Sequence, residues 1–143
     1  MIDIFSQVYT NFKTAIKTEF STCDVKGEYV RLPAKFPCVT IEETKNVTPT
    51  SLYDSSERQK FATLRYRVRI FTNSDTKQND ARKIFAVADQ TMWDLGFNRR
   101  FYSPRPEIYQ GTLYEIEVTY ECTVDENGTI YRKVRGLRNE YSD

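Results

Sequence analysis

The sequence predicts an α+β domain, a mainly antiparallel sheet with two amphipathic helices packed on one face. Three observations predict it. Ala81, Ile84, Phe85, Ala88, Met92 and Leu95 recur at helical spacing within residues 74–100. On either side of that stretch, residues 61–71 and 112–124 alternate apolar and polar side chains with the period of two of a half-buried strand. Residues 1–20 carry a second helical stripe, Ile2, Phe5, Tyr9, Phe12, Ile16 and Phe20, with Val8 and Ala15 beside it and Gln7, Asn11, Lys13 and Lys17 opposite.

The remaining elements follow in order. Asp24, Gly27, Pro33 and Pro37 punctuate an irregular stretch from 21 to 37, with room for a short strand at 25–30. Residues 38–44, CVTIEET, read as a strand with Cys38, Thr40 and Glu42 on one side and Val39 and Ile41 on the other. Residues 45–60 are polar, contain Pro49 and lack periodicity. A connector of that length is expected to be mobile or functional; Leu52 and Tyr53 within it are expected as assembly contacts. In the strand at 61–71, Ala62, Leu64, Tyr66, Val68 and Ile70 point one way and Thr63, Arg65, Arg67 and Arg69 the other. Ser74 or Asp75 is expected to cap the long helix and Gly96 to end it. Residues 98–110, NRRFYSPRPEIYQ, read as a two-proline connector. Tyr114, Ile116, Val118, Tyr120, Cys122 and Val124 then share one strand face, opposite Glu115, Glu117 and Glu121. Asp125-Glu126-Asn127-Gly128 reads as a hairpin turn, 129–135 as a returning strand, and 136–143 as a frayed tail.

Composition narrows the function classes. The chain of 143 residues is expected to form one domain, 1–143. Its 21 basic and 20 acidic side chains leave a net charge of +1, so net charge draws it to neither DNA nor anionic lipid. Ten Tyr and nine Phe suit half-buried sheets and protein interfaces. The sequence contains no histidine, which removes Ser-His-Asp and Cys-His catalysis. Cys23, Cys38 and Cys122 are widely spaced and too few for a zinc site built from cysteine alone, and the five scattered glycines form no phosphate loop. No metal, cofactor or enzymatic activity is therefore expected. No apolar run approaches the ~20 residues of a membrane span. The opening MIDIFSQVYT lacks a signal-peptide pattern, so a soluble protein made in the cytoplasm is expected.

Three constellations carry the candidate chemistry. Arg65, Arg67 and Arg69 alternate on one strand and Glu115, Glu117 and Glu121 on another. They either pair across one sheet or face a neighbouring subunit or passing DNA. Arg99, Arg100, Phe101, Tyr102 and Arg105, with Tyr131, Arg132, Lys133, Arg135 and Arg138, interleave basic and aromatic residues, a composition suited to an interface or to nucleic acid. Glu43-Thr44-Lys45, with Asp24 upstream, has the Glu-x-Lys spacing of a metal-dependent nuclease.

One further pattern spans the chain. An amphipathic helix is followed by Pro37-Cys38-Val39-Thr40-Ile41-Glu42-Glu43, then by Tyr53-Asp54-Ser55-Ser56-Glu57 and a strand closing Ile70-Phe71-Thr72-Asn73. A helix carrying Asp80-Ala81-Arg82-Lys83-Ile84 closes on Met92-Trp93-Asp94-Leu95-Gly96-Phe97, and a Tyr-rich strand covers residues 114–120. This order, over most of residues 1–124, resembles the tail-terminator, or tail-completion, proteins of long-tailed bacteriophages. The resemblance implies a curved antiparallel sheet under the helices and a homo-hexameric ring in the virion neck, assembled in the host cytoplasm. Such a ring caps the tail tube, ends its growth and joins the tube to the head connector, while double-stranded DNA passes through without sequence recognition. It implies no enzymatic activity and no membrane. Leu52, Tyr53, Arg65, Arg67, Arg69, Arg99, Arg100, Glu115, Glu117 and Glu121 are then the candidate subunit or neck contacts. A head-completion (stopper or adaptor) protein, a small nuclease, a nucleic-acid-binding domain and a general interaction module are the alternatives.

Overall fold

The computed structural model describes residues 1–48, 61–107 and 111–132. Helix α1 (Phe5–Glu19) leads into β1 (Asp24–Lys26), β2 (Cys38–Val47) and β3 (Phe61–Thr72). Helix α2 (Lys77–Leu95) follows, then β4 (Asn98–Glu107), β5 (Leu113–Asp125) and β6 (Ile130–Tyr131). The strands form one sheet in the order β1-β2-β3-β5-β4, with β6 added to β5. All pairings are antiparallel except β1 with β2. Because β3 and β4 both run antiparallel to β5, they are parallel to each other, and α2 is the crossover between them.

Both helices pack on the same face. Val8, Phe12 and Ile16 of α1 and Ala81, Ile84, Ala88 and Met92 of α2 join one core with Ala62, Leu64, Tyr66, Val68 and Ile70 of β3. Burying a side chain the size of Phe12 contributes about 1.5–3 kcal/mol, so the stripe holds α1 without a side-chain N-cap, which Ile4 cannot supply. Helix α1 starts at Phe5, later than the periodicity alone predicts, but Ile2 and Ile4 are buried all the same. At the far end of α2, Gly96 takes φ +104 and donates its N–H to the carbonyls of Met92 and Trp93, ending the helix as its position predicts. A Cβ there would also stand 2.7 Å from Ile130 Cγ2, so the glycine lets β6 close over the helix end. Neither Ser74 nor Asp75 is the N-cap. That residue is Thr76, and Ser74 and Thr76 turn their hydroxyls to the Asp80 carboxylate instead.

Three boundaries depart from the sequence reading. β2 continues through Val47, so the connector begins later than residue 45; Leu52 and Tyr53 lie outside the described residues. β1 is confined to Asp24–Lys26 and runs parallel to β2. The largest correction is residues 98–110, read as a connector: Asn98–Glu107 is a full edge strand. Prolines are tolerated at a sheet edge, because only one side of an edge strand must supply ladder hydrogen bonds. The Asp125–Gly128 turn forms as predicted, Gly128 N–H donating to the Asp125 carbonyl at 3.0 Å. The frayed tail at 136–143 and the strand beyond Arg132 lie outside the described residues.

Candidate functional site

The face of the sheet turned away from the helices carries the alternating charges, and the strand order brings them together. β3 lies between β2 and β5, so each of its three arginines has a carboxylate within reach on a neighbouring strand. Arg65 donates from Nε and Nη2 to Glu121 Oε2 at 3.2 and 2.9 Å, directly across the register. Arg67 turns the other way and pairs with Glu42 on β2. Arg69 donates from Nε to Glu115 Oε2 at 2.7 Å and from Nη1 to the Val30 carbonyl at 2.8 Å. Its guanidinium lies 5.0 Å from the Tyr29 ring centroid and 4.7 Å from that of Phe71. From β4, Arg100 reaches Glu121 at 3.4 Å, and Arg105 reaches Glu117 at 2.9 Å and Glu115 at 3.8 Å.

The result is a ladder of alternating charges across four strands, with Glu121 and Glu115 each bracketed by two arginines. The pairs differ in depth. Arg69 and Glu115 are 8% and 3% exposed, whereas the Arg67 and Glu42 side chains stay 33% and 19% exposed. Among the described residues the outer charges therefore balance within the chain, without an uncompensated basic stripe of the kind that grips DNA.

Arg99 and Arg100, adjacent in sequence, separate in space. As neighbours along β4 the two arginines leave it on opposite faces, Arg99 opposite Tyr120, and a bulge between Arg99 and Phe101 sets Phe101 opposite Thr119. Arg99 turns to the helix side, 3.3 Å from Asp89 on α2 and 5.6 Å from the Phe85 centroid. Tyr120 donates to the other oxygen of Asp89 at 2.8 Å. Burial and that carboxylate hold the Tyr120 hydroxyl far above the usual tyrosine range. Arg100 stays with the charged face.

Where α2 turns into β4, an open groove of about 1040 Å³ is lined by Trp93, Phe97, Phe101, Tyr120, Asp89 and Arg132, among others. Arg132 lies flat over Trp93, its guanidinium carbon 3.6 Å from the ring centroid, and donates to the Trp93 carbonyl. Trp93 and Phe101 of the lining are large and exposed. Tyr102 packs on Phe85 at 4.9 Å. Interleaving of Arg with aromatics in residues 98–105 and 131–138 pointed to this region, but pairing Trp93 with Arg132 needed the fold.

Against known proteins, no family model and no curated sequence matches the chain. Among solved structures, it is similar to a chain of the virion of native gene transfer agent (GTA) particle, with a TM-score of 0.59 at 10% identity, over 80% of this chain and 88% of that chain. The likeness is one of fold.

The nuclease constellation comes apart in the structure. A second bulge between Glu43 and Lys45 leaves Glu43 opposite Tyr66 on the helix side and Lys45 opposite Arg65 on the charged face. A regular strand would have put both on one face. Asp24 pairs with Cys38, five residues before Glu43, so the two positions are about 16 Å apart along the strand direction. They also point to opposite faces, since Val25 and Val39 are the core residues of that pair. Glu43 instead sits beside the buried Tyr66 hydroxyl, with no well-formed hydrogen bond at Glu43 Oε1 or Tyr66 Oη among the described residues. Burial pushes the Glu43 carboxyl up from its usual range, and Asp3 adds to the shift.

Proposed function

We propose that this chain is a structural protein of a phage-like virion and that its place is the neck, as a tail terminator. It forms a homo-oligomeric ring, six subunits in the implied assembly, that caps the tail tube, ends tube growth and meets the head connector. Double-stranded DNA passes through that ring without sequence recognition. The observation that carries the reading is the fold shared with a virion chain over most of both lengths. The element order from α1 to β5, on which the resemblance to tail terminators rests, is consistent with it. An enzymatic role draws no support from the site, because Glu43, Lys45 and Asp24 diverge. Subunit and neck contacts are assigned to Leu52, Tyr53, Arg65, Arg67, Arg69, Arg99, Arg100, Glu115, Glu117 and Glu121.

Two measurements test this. Light scattering across a concentration series, repeated with purified tail tubes, is expected to give a discrete ring near six subunits, free or on the tube end. Labelled antibody on purified particles is expected at the tube side of the neck. Label on the head side of the joint would assign a head-completion role instead, and absence of the chain from purified particles would overturn the structural reading. Reversing Arg100 or Arg67 to Glu is expected to weaken the ring while leaving the subunit folded. An unchanged ring across these reversals would remove those residues from the contacts.

A further inference from the structure

We infer that Pro104 and Pro106 close the outer edge of β4 to strand addition, so that a second copy of this chain can meet that edge with side chains but cannot extend the sheet through it. The direction of the backbone groups along β4 follows from one hydrogen bond. Asp125 N–H donates to the Thr129 carbonyl at 3.0 Å, on the β6 side of β5. β6 and β4 both lie on the side of β5 away from β3, because Thr123 and Glu117 each pair with β3 as well. β5 runs against β3 without a register shift from Tyr114 to Asp125, so its amides alternate regularly. Those of Glu115, Glu117 and Thr119 therefore turn toward β4 as well.

Opposite these three stand Arg105, Ser103 and Phe101, which supply the ladder. Tyr102 and Pro104, opposite Val118 and Ile116, turn their backbone groups outward, and Pro106 follows at the same spacing. The far side of the sheet gives the same alternation. Asp24 N–H donates to the Pro37 carbonyl at 2.9 Å, which turns Cys38 and its partner Phe71 toward each other, and next Ile70 and its partner Ile116. A proline at 103 or 105 would remove a ladder bond to β5. At 104 and 106 the prolines remove none, yet they take away the donors that a further strand needs, and each ring Cδ stands where an amide hydrogen would point. Both prolines are exposed, and among the described residues β4 ends the sheet. A second β4 laid antiparallel across the edge, Pro104 facing Pro104, would set Tyr102 against Pro106 on each side. Between residues 102 and 106, only the Tyr102 N–H could then donate. β1, at the opposite edge, spans just Asp24–Lys26, so the guard stands on the longer edge, where unplanned pairing is the greater hazard.

Restoring the donors tests this. In the full chain carrying Pro104→Thr and Pro106→Thr, exchange of the new amides at 104 and 106 is followed at single-residue resolution, with light scattering alongside. Their exchange is expected to slow about tenfold from dilute to concentrated samples, the equivalent of about one net ladder bond per amide. The apparent mass is expected to rise about twofold over that of the parent chain at the same concentration, as for a symmetric pair of edges. Fast exchange at every concentration with unchanged mass would overturn the inference. So would slow exchange that persists on dilution, because a segment of the same chain would then be the occupant. Single prolines check the alternation itself. Ser103→Pro is expected to lower the urea midpoint, whereas Tyr102→Pro should match Tyr102→Ala, which equally loses the contact with Phe85. A Tyr102→Pro chain as unstable as Ser103→Pro would overturn the outward assignment. Each comparison is between variant and parent, so it reads the same with or without a virion ring, and the two readings fail separately.

Discussion

The Arg69–Glu115 pair allows the most quantitative test of the charged face. Both side chains are nearly buried, 10% and 4% exposed, and their closest atoms stand 2.7 Å apart. With charge centres about 4 Å apart and an effective dielectric constant of about 20, their attraction amounts to about 4 kcal/mol. Truncating Arg69 to Ala leaves the Glu115 carboxylate buried with only Arg105, 3.8 Å away and half exposed, as compensation. It also leaves the Val30 carbonyl without its donor. A loss of about 3–5 kcal/mol is expected. Replacing both partners, Arg69→Ala with Glu115→Ala, removes the stranded charge and is expected to cost less than the sum of the two single truncations. The coupling from the double-mutant cycle should reach about 2–4 kcal/mol. Urea unfolding at neutral pH measures all four corners. The same cycle on Arg67 and Glu42, 33% and 19% exposed, serves as an internal control and should give about 1 kcal/mol or less. Equal couplings in the two cycles would refute the claim that depth in the sheet decides what each pair contributes.

Other outcomes follow from single positions. Gly96→Ala meets both a left-handed φ and the Ile130 methyl at 2.7 Å, so a loss of about 2 kcal/mol or more in chemical unfolding is expected, against the small gain usual for a helical Gly→Ala. Glu43 binds its proton more tightly folded than unfolded, because burial and then Asp3 disfavour its charge. Its neutral form is therefore fully compatible with folding below the ordinary glutamate pKa, and stability is lost as pH rises through the raised value. Glu43→Gln is expected to stabilise the protein near pH 7 and to change little near pH 4; a gain at pH 4 only would contradict this sign. Desolvation lifts the thiols of Cys23 and Cys122 to about 12 and that of Cys38 to about 11. At pH 8 the thiolate fraction is then roughly one in a thousand or less, so a disulfide reagent is expected to label the cysteines only as the protein unfolds.

Much of this architecture was written in periodicity. Strand faces in β3 and β5 followed from strict alternation, and the end of α2 followed from Gly96, because each signal is local and needs no partner. β4 was hidden for two physical reasons. Pro104 and Pro106 read as breaks, although an edge strand has a side that needs no donor, and the bulge at Arg100 interrupts the alternation that would have revealed the strand. The bulge before Lys45 acted the other way, making Glu43 and Lys45 look like neighbours on one face when the backbone turns them apart. Charge complementarity between strands was legible as composition, but the strand order chose the partners. Glu42, outside the original set, takes Arg67, and Glu117 takes Arg105. Trp93 and Arg132 are 39 residues apart, and no local pattern links them.

The pairing pattern also bears on what the surface is for. An arginine whose charge is met at 2.7–2.9 Å by a carboxylate of the same chain has little left to give a phosphate, since a competing contact must first break the internal one. Arg65 and Arg69 are spent in that way. Arg99 and Arg100 are looser, meeting carboxylates at 3.3 and 3.4 Å with side chains 48% and 43% exposed, and both lie on the edge strand. That edge combines unspent guanidinium surface with exposed Phe101 and Tyr102. Arg and aromatic residues at a strand edge are what one protein offers another, because they add directional hydrogen bonds to apolar area without requiring a net charge. In the proposed ring, a near-neutral chain that keeps its fixed charges paired inside the sheet and its adaptable ones on an edge would meet its neighbours through that edge, and substitutions there are expected to weaken the ring first.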